Sequence, residues 1–231
     1  MGHRQLTVPL LRREITWGLR YLLFQLVFLG ALLSWALALL GLNDNSALLD
    51  ATYFGANLAA VVWIFRSYLW QSLKHGISHW SKLLLAAVIG FAVYYAMIRG
   101  LDALILWLKP EFFNVNDADI AANSRSSFLI TAVGTVVLVP LAEETLYRGL
   151  IFGGLHQRNR LLAYVLSTLL FSFIHVMGYI GAYPPLQLLL CFAQYIPAGL
   201  TLAWSYEFSG SILAPVLIHT AVNAIAIYSM R

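Results

Sequence analysis

Long apolar runs separated by short polar stretches form the main pattern of this sequence. Each run has about 20 residues or more, which is enough for a helix rising about 1.5 Å per residue to cross about 30 Å of hydrocarbon. We predict an all-α, polytopic transmembrane helix bundle of about seven spans, with six and eight as the bounds of the count. The predicted spans are residues 21–42, 47–70, 83–108, 128–155, 161–179, 186–205 and 211–230.

Composition supports a membrane protein. Of the 231 residues, 61% are hydrophobic and 10% are charged, whereas a soluble domain averages about 25% charged residues. The net charge of +4 would suit a nucleic-acid partner, but the basic residues stand between apolar spans, where the positive-inside rule accounts for them. We therefore expect membrane lipid around the chain and no nucleic acid bound to it.

Polar segments divide the chain into four parts. A basic lead (residues 1–16) precedes the N-terminal transmembrane helices (17–109), and a polar extracytoplasmic loop (110–126) separates these from a C-terminal transmembrane core (127–231). Lysine and arginine are concentrated in the lead and in the second and fourth loops. The positive-inside rule therefore places the N-terminus and the even-numbered loops in the cytoplasm.

Two adjacent glutamates and an arginine follow an uncharged run in the fourth span. Ionisable groups at membrane depth are costly and normally face a protein interior or a water-filled cavity. Arg148 lies four residues after Glu144, which is the spacing of an ion pair on a helix, whereas Glu143 is turned about 100° away from Glu144. We predict that Glu144 and Arg148 form a supporting pair and that Glu143 presents a free carboxylate to an interior site.

Two histidines stand in the apolar spans that follow. His175 comes four residues after Phe171, and His219 comes four residues before Asn223, so each pair shares one helix face. By the rise per residue, Glu143 and His175 lie about 20 Å, and His219 about 15 Å, from helix ends on the predicted cytoplasmic side. The three side chains are therefore predicted to share one layer inside the membrane.

Two prolines stand close to these motifs. Pro140 and Pro215 precede Glu143 and His219 by three or four residues. A proline inside a helix removes one backbone hydrogen bond and frees a carbonyl one turn earlier, which would open room for water or substrate. Prolines are also common in transmembrane helices in general, and the sequence favours neither explanation.

A carboxylate, two imidazoles and an amide around a wet intramembrane pocket suit amide hydrolysis. The carboxylate and a neutral histidine could take a proton from water, and imidazole and asparagine N–H groups could stabilise an oxyanion. No motif for a covalent nucleophile accompanies them. Alternatively, Glu143, His175 and His219 could hold zinc as three protein ligands plus water. The His-Glu-x-x-His signature is absent, so zinc stays an open cofactor prediction.

Three motifs, in order along the chain, resemble those of the CPBP family: Glu143-Glu144-x-x-x-Arg148, Phe171-x-x-x-His175 and His219-x-x-x-Asn223. This family includes intramembrane CAAX prenyl endopeptidases and bacteriocin-processing or self-immunity proteins, and it is also called the Abi family. The resemblance covers residues 126–230. The short chain resembles bacterial-type members, so we expect an integral, multi-pass protein of a bacterial-type plasma membrane.

The resemblance implies a helical membrane fold with a cavity between helices and the hydrolysis of a peptide bond. It implies that Glu143 and His175 activate water, while His219 and Asn223 stabilise the oxyanion. The ion pair of the first motif would fix the helix geometry. Members of the family have been described both as metalloproteases and as metal-independent glutamate proteases, and the resemblance carries both alternatives.

We predict an intramembrane endopeptidase that acts on a peptide or protein in or at the membrane, either prenylated or bacteriocin-like. Two alternatives stay open. The same acidic and imidazole groups could relay protons in a proton-coupled carrier, although the sequence has no repeated half-structure of the kind common in carriers. The chain could also be a catalytically silent immunity or scaffold protein. The sequence leaves the cleavage site and the oligomeric state undetermined.

Overall fold

The structure is a computed structural model that describes Leu6, residues 8–42 and residues 46–229. Residues 1–5 and 7 of the predicted basic lead therefore lie outside the described part. The described part contains seven helices, two of which join α-helical and π-helical turns, and no strand. The helices are α1 (Arg12–Leu39), α2 (Ser46–Ser78), α3 (Trp80–Leu108), α4 (Val115–His156), α5 (Arg160–Met177), α6 (Pro185–Ser209) and α7 (Leu213–Ser229).

Helices α1 to α6 are long and apolar enough to cross a membrane, and α7 is a shorter apolar helix of 17 residues. The prediction of an all-α polytopic bundle is confirmed. The protein is an integral, multi-pass membrane protein. The order of the helices follows the order of the seven predicted spans, because hydrophobic length is a property of each segment by itself.

The first helix begins earlier than its apolar run. α1 starts at Arg12 rather than at residue 21, so the end of the predicted basic lead is helical. Glu14 accepts a hydrogen bond of 2.8 Å from the Leu11 backbone N–H. A carboxylate that reaches back in this way satisfies a donor of the first helical turn, and polar residues can therefore begin the helix.

The predicted polar loop (110–126) is wrong from residue 115 onward, because α4 begins at Val115. The Asn114 side chain caps α4 by accepting hydrogen bonds from the backbone N–H groups two and three residues later, at 3.0 and 3.3 Å. Short polar residues of this kind favour the start of a helix as strongly as they favour a loop. The helix is interrupted later, at Ser127, whose backbone angles are non-helical.

Helix α4 is the centre of the bundle and contacts α1, α2, α5, α6 and α7. Two stretches of it, Gly134–Leu138 and Thr145–Phe152, are π-helical. π-helical turns are rare in proteins overall, but those that occur are often found at functional sites. They flank the α-helical turn Val139–Glu144, so the two glutamates of the first motif lie on the most irregular part of the most central helix.

Close packing brings α5 against α6. A Cβ atom added at Gly199 would lie 2.9 Å from the Thr168 Cα atom, which is closer than real Cβ atoms approach a backbone. Only glycine fits where two helix backbones meet in this way. The contact places the backbone of α6 beside α5, the helix that carries the second motif.

A buried glutamate joins α1 to α2. Phe65 interrupts α2 with non-helical backbone angles, and the backbone N–H of Tyr68, just after the interruption, donates to Glu14 Oε1 at 3.0 Å. Glu14 is 1% exposed, so this bond is made away from solvent. Sequence analysis did not single out Glu14. The bond fixes α1 in the bundle, and α1 forms one wall of the cavity described below.

Candidate active site

A cavity of about 510 Å³ lies between the helices. Glu143 on α4, His175 on α5, and His219 and Asn223 on α7 all line it. The structure therefore brings together four residues that the sequence selected on three separate helices, while their catalytic roles stay predictions. Further polar side chains from α1, α2, α3 and α6 line the same cavity.

Glu144 and Arg148 form an ion pair at the spacing that predicts it. Arg148 Nη1 donates to Glu144 Oε1 at 2.9 Å, and both side chains are fully buried. The guanidinium carbon lies 4.2 Å from the centre of the Phe171 ring, and Nη2 lies 3.5 Å from the carbonyl oxygens of Ala198 and Gly199. The pair thus connects α4 to α5 and α6.

His219 is bonded to this ion pair, a link that the sequence did not predict. Its Nδ1 lies 2.8 Å from Glu144 Oε1, the oxygen that also accepts from Arg148. A carboxylate paired with arginine only accepts, so Nδ1 carries a hydrogen and Nε2 is left for other partners. A hydrogen on Nε2 as well requires the doubly protonated, positively charged ring.

Glu143 has a free carboxylate oxygen, in agreement with the helix geometry. Its Oε2 atom is buried and has no hydrogen-bond partner among the described residues. The side chain lines the cavity. A buried carboxylate oxygen without a partner is unfavourable, and its presence in a membrane protein is typical of a functional group.

His175 is held by its neighbours in one ring orientation. Its Nδ1 lies 2.7 Å from the Phe171 carbonyl oxygen. A carbonyl oxygen only accepts, so Nδ1 carries the hydrogen and Nε2 of the neutral ring keeps a free lone pair. The ring also stacks on Tyr195, with centroids 4.0 Å apart. Sequence analysis missed Tyr195, because one of twelve tyrosines has no local signal.

Asn223 contacts a backbone group that Pro140 leaves unpaired. In the π-helical stretch Gly134–Leu138, the Thr135 carbonyl would accept from the residue five positions later, which is Pro140 and has no N–H. Asn223 Nδ2 donates to this carbonyl at 2.8 Å. One amide hydrogen of Asn223 therefore has a structural partner, and the second is left for chemistry.

Pro215 does not remove a hydrogen bond from the interior of a helix, which was one of the two explanations considered for it. It lies in the first turn of α7, which begins at Leu213. An N–H in the first turn has no partner within the helix, so proline removes nothing there, and the idea that Pro215 frees a carbonyl inside a span is wrong. Pro197 is a proline inside a helix, in α6.

Comparison with known proteins shows a family that is similar to the part of the chain with these motifs. A family model for type II CAAX prenyl endopeptidase Rce1-like proteins matches residues 125–225, which contain all three motifs. Residues 125–225 are thus similar to this family, and we refer to the matched segment as the Rce1-like domain. It is also 22% identical over 154 residues to UPF0177 protein YxdF of Lactococcus lactis subsp. lactis (strain IL1403), a match that covers 65% of this chain and 80% of that protein. No solved structure matches the chain significantly.

The Rce1-like domain confirms the resemblance that the motifs predicted. It supports a protease, and more specifically an intramembrane endopeptidase of the CAAX type in general. The matched residues extend from α4 to α7. The cavity walls that come from α1, α2 and α3 therefore lie outside the matched segment.

Zinc was left open as a cofactor, with Glu143, His175 and His219 as its three protein ligands. Glu143, His175 and His219 line one cavity, but within the described ranges no three His, Cys, Asp or Glu side chains converge closely enough to hold a metal ion. His219 and His175 each direct Nδ1 to a protein acceptor, which is also the usual arrangement of a metal-binding histidine, so zinc stays a prediction. No step of the reaction proposed below is therefore assigned to a metal.

A hydrogen-bond network reaches the Rce1-like domain from α3 and from the start of α4. Gln194 donates to Asp102 at 2.7 Å and accepts from Asn114 at 2.9 Å. Asn116 donates to the Tyr195 hydroxyl at 3.0 Å. The network thus supports the ring that stacks on the histidine of the second motif, and it joins residues too far apart in sequence to share any local pattern.

Proposed function

We propose that this protein is an intramembrane endopeptidase that hydrolyses a peptide bond of a membrane-associated substrate without a covalent intermediate. The observation that carries the proposal is the convergence of Glu143, His175, His219 and Asn223 on one cavity inside an Rce1-like domain. A base, a second proton acceptor and two oxyanion donors are the groups that direct attack by water requires.

Glu143 and His175 are assigned to the activation of water. The Glu143 carboxylate takes a proton from a water molecule, and the free lone pair of His175 Nε2 orients that water. The water oxygen then attacks the carbonyl carbon of the peptide bond. The unpartnered oxygen of Glu143 and the fixed ring of His175 support this assignment.

His219 and Asn223 are assigned to the stabilisation of the oxyanion. As the carbonyl oxygen gains negative charge, it accepts hydrogen bonds from Nε2–H of protonated His219 and from the second amide hydrogen of Asn223. Glu144 stabilises the positive ring through Nδ1. The proton on Glu143 then passes to the leaving nitrogen, the C–N bond breaks, and one carboxylate and one amine are released.

The proposed orientation places the N-terminus in the cytoplasm. The distribution of lysine and arginine supports it. His156 at the end of α4 and Arg160 at the start of α5 both contact Glu207 near the end of α6, as expected if these three helix ends lie on the same side. The proposed substrate is a peptide segment in or at the membrane, and its prenylation is a variable of the test below.

Mass spectrometry of membrane peptides tests the proposed function. Membranes with the wild-type protein are compared with membranes that contain Glu143→Ala, His175→Ala or His219→Ala. Purified protein in lipid nanodiscs is also given a peptide ending in Cys-Val-Ile-Met, with and without a farnesyl group. We expect new cleavage products with the wild type only. Equal cleavage by the wild type and the variants would contradict the proposal, and proton flux lost with the same variants would favour a carrier.

The variant Glu143→Gln separates catalysis from folding. It keeps the shape of the side chain and removes the base, so we expect the cleavage rate to fall about 100-fold or more. The thermal unfolding temperature should stay unchanged or rise, because the replaced oxygen has no partner to lose. A large drop in unfolding temperature would show instead that Glu143 has a structural role.

A further inference from the structure

Two buried polar groups that the reaction above does not use also line the cavity. Gln25 on α1 is 8% exposed and its Oε1 atom has no hydrogen-bond partner among the described residues. Tyr147 on α4 is 1% exposed, and its hydroxyl has no partner within the same ranges. A buried polar atom without a hydrogen-bond partner is unfavourable. A ligand that forms the missing hydrogen bonds would explain directly why these atoms are present.

Tyr53 holds Gln25 in a defined orientation. Gln25 Nε2 donates to the Tyr53 hydroxyl at 3.3 Å, and Tyr53 on α2 lines the same cavity. Because this bond uses the amide nitrogen, the unpaired group of Gln25 is its oxygen, an acceptor. Because the hydroxyl oxygen accepts, the hydrogen of Tyr53 is available to a further acceptor. The pair therefore offers one acceptor and one donor side by side.

The pair shares its cavity with the residues assigned to catalysis. Tyr53, Tyr147 and Glu143 all line it. Gln25 opens the π-helical stretch Gln25–Leu29 of α1, and π-helical turns are frequent at functional sites. Neither Gln25 nor Tyr53 belongs to the matched segment of the Rce1-like domain.

We infer that Gln25 and Tyr53 form a subsite for the backbone of an extended peptide substrate. Gln25 Oε1 accepts from a substrate N–H, and the Tyr53 hydroxyl donates to a substrate carbonyl. The backbone N–H and C=O groups of an extended peptide have no hydrogen-bond partners within the peptide. The surrounding hydrocarbon supplies no water as an alternative partner. The inference rests on the proposed peptidase function and adds its ligand class: an uncharged peptide backbone, recognised without regard to side chains.

Binding to a variant that does not cleave tests this subsite apart from catalysis. The Glu143→Gln protein in nanodiscs is titrated with a fluorescently labelled, farnesylated peptide ending in Cys-Val-Ile-Met, and Gln25→Leu or Tyr53→Phe is then added. We expect each addition to weaken binding about three- to tenfold, the effect of one hydrogen bond. Gln71→Leu, the same change at an exposed position of α2, is the matched control and should leave the affinity unchanged.

Replacement of single peptide N–H groups by ester oxygens identifies the partner of Gln25. One ester position should weaken binding when Gln25 is present and should cause no further loss with Gln25→Leu. Two results would overturn the subsite alone, provided that the wild type still cleaves the peptide. One is an affinity that neither Gln25→Leu nor Tyr53→Phe changes. The other is a loss of affinity caused by the ester that is equally large with Gln25→Leu. Absence of both binding and cleavage, with and without the farnesyl group, would overturn the subsite together with the proposed function.

Discussion

Two clusters in this protein combine the same three groups, a carboxylate, an arginine and a histidine, in different surroundings. In the inner cluster, Glu144 binds Arg148 at 2.9 Å and His219 at 2.8 Å, and the carboxylate and the guanidinium are fully buried. At this depth water does not screen the charges, so each one depends on its partners. The inner cluster therefore connects four helices and orients a residue assigned to catalysis.

In the outer cluster, Glu207 binds Arg160 at 2.7 Å and His156 at 2.9 Å, and the Arg160 side chain is 60% exposed. Tyr164 also donates to Glu207, at 2.5 Å. Water competes mainly for the Arg160 charge, because the His156 and Glu207 side chains are 2% and 11% exposed, and a pair with an exposed member contributes less to stability. The bond lengths in the two clusters are nearly equal, so the exposure of the arginine, rather than distance, distinguishes them.

The largest effect is expected from Glu144→Gln. This change leaves the Arg148 charge buried without its partner, and loss of one member of a buried pair costs about 3–5 kcal/mol. His219 loses its carboxylate at the same time, so cleavage should be lost as well. Thermal and denaturant unfolding in detergent measure the first effect and the peptide assay the second. Stability near that of the wild type would mean that the inner pair is screened after all.

A double substitution tests whether the stability lost by Glu144→Gln comes from the unpaired charge of Arg148. When Arg148→Met is added to Glu144→Gln, no charge is left unpaired, and neutral replacements of buried pairs are often as stable as the original. We expect the double variant to recover about 2 kcal/mol or more of the stability lost by Glu144→Gln while cleavage stays lost. If stability is not recovered, the contacts of the guanidinium with α5 and α6 matter more than its charge.

The smallest effect is expected from Glu207→Gln. Arg160 is exposed but Glu207 is largely buried, so we expect a loss of about 1–2 kcal/mol, smaller than that of Glu144→Gln, and little change in cleavage. Unfolding should also respond less to Glu207→Gln in high salt, because salt screens exposed charges. A loss as large as that of Glu144→Gln would contradict the contrast between the clusters.

The sequence by itself determined the features that repeat within one helix. Apolar runs predicted the number and order of the spans, and the four-residue spacing of Glu144 and Arg148 predicted their pair. The turn of about 100° between neighbouring residues predicted that Glu143 would be free. These features follow from hydrophobic length and helical period, which a single segment contains in full.

Only the tertiary structure decided which side chains of different helices contact one another. The bond between His219 and Glu144 joins residues 75 positions apart, and the stacking of Tyr195 on His175 joins α6 to α5. The start of α4 within a predicted loop depended on the Asn114 cap. Such contacts depend on which helix faces meet and at what depth, and no local period in the sequence records the packing of one helix against another.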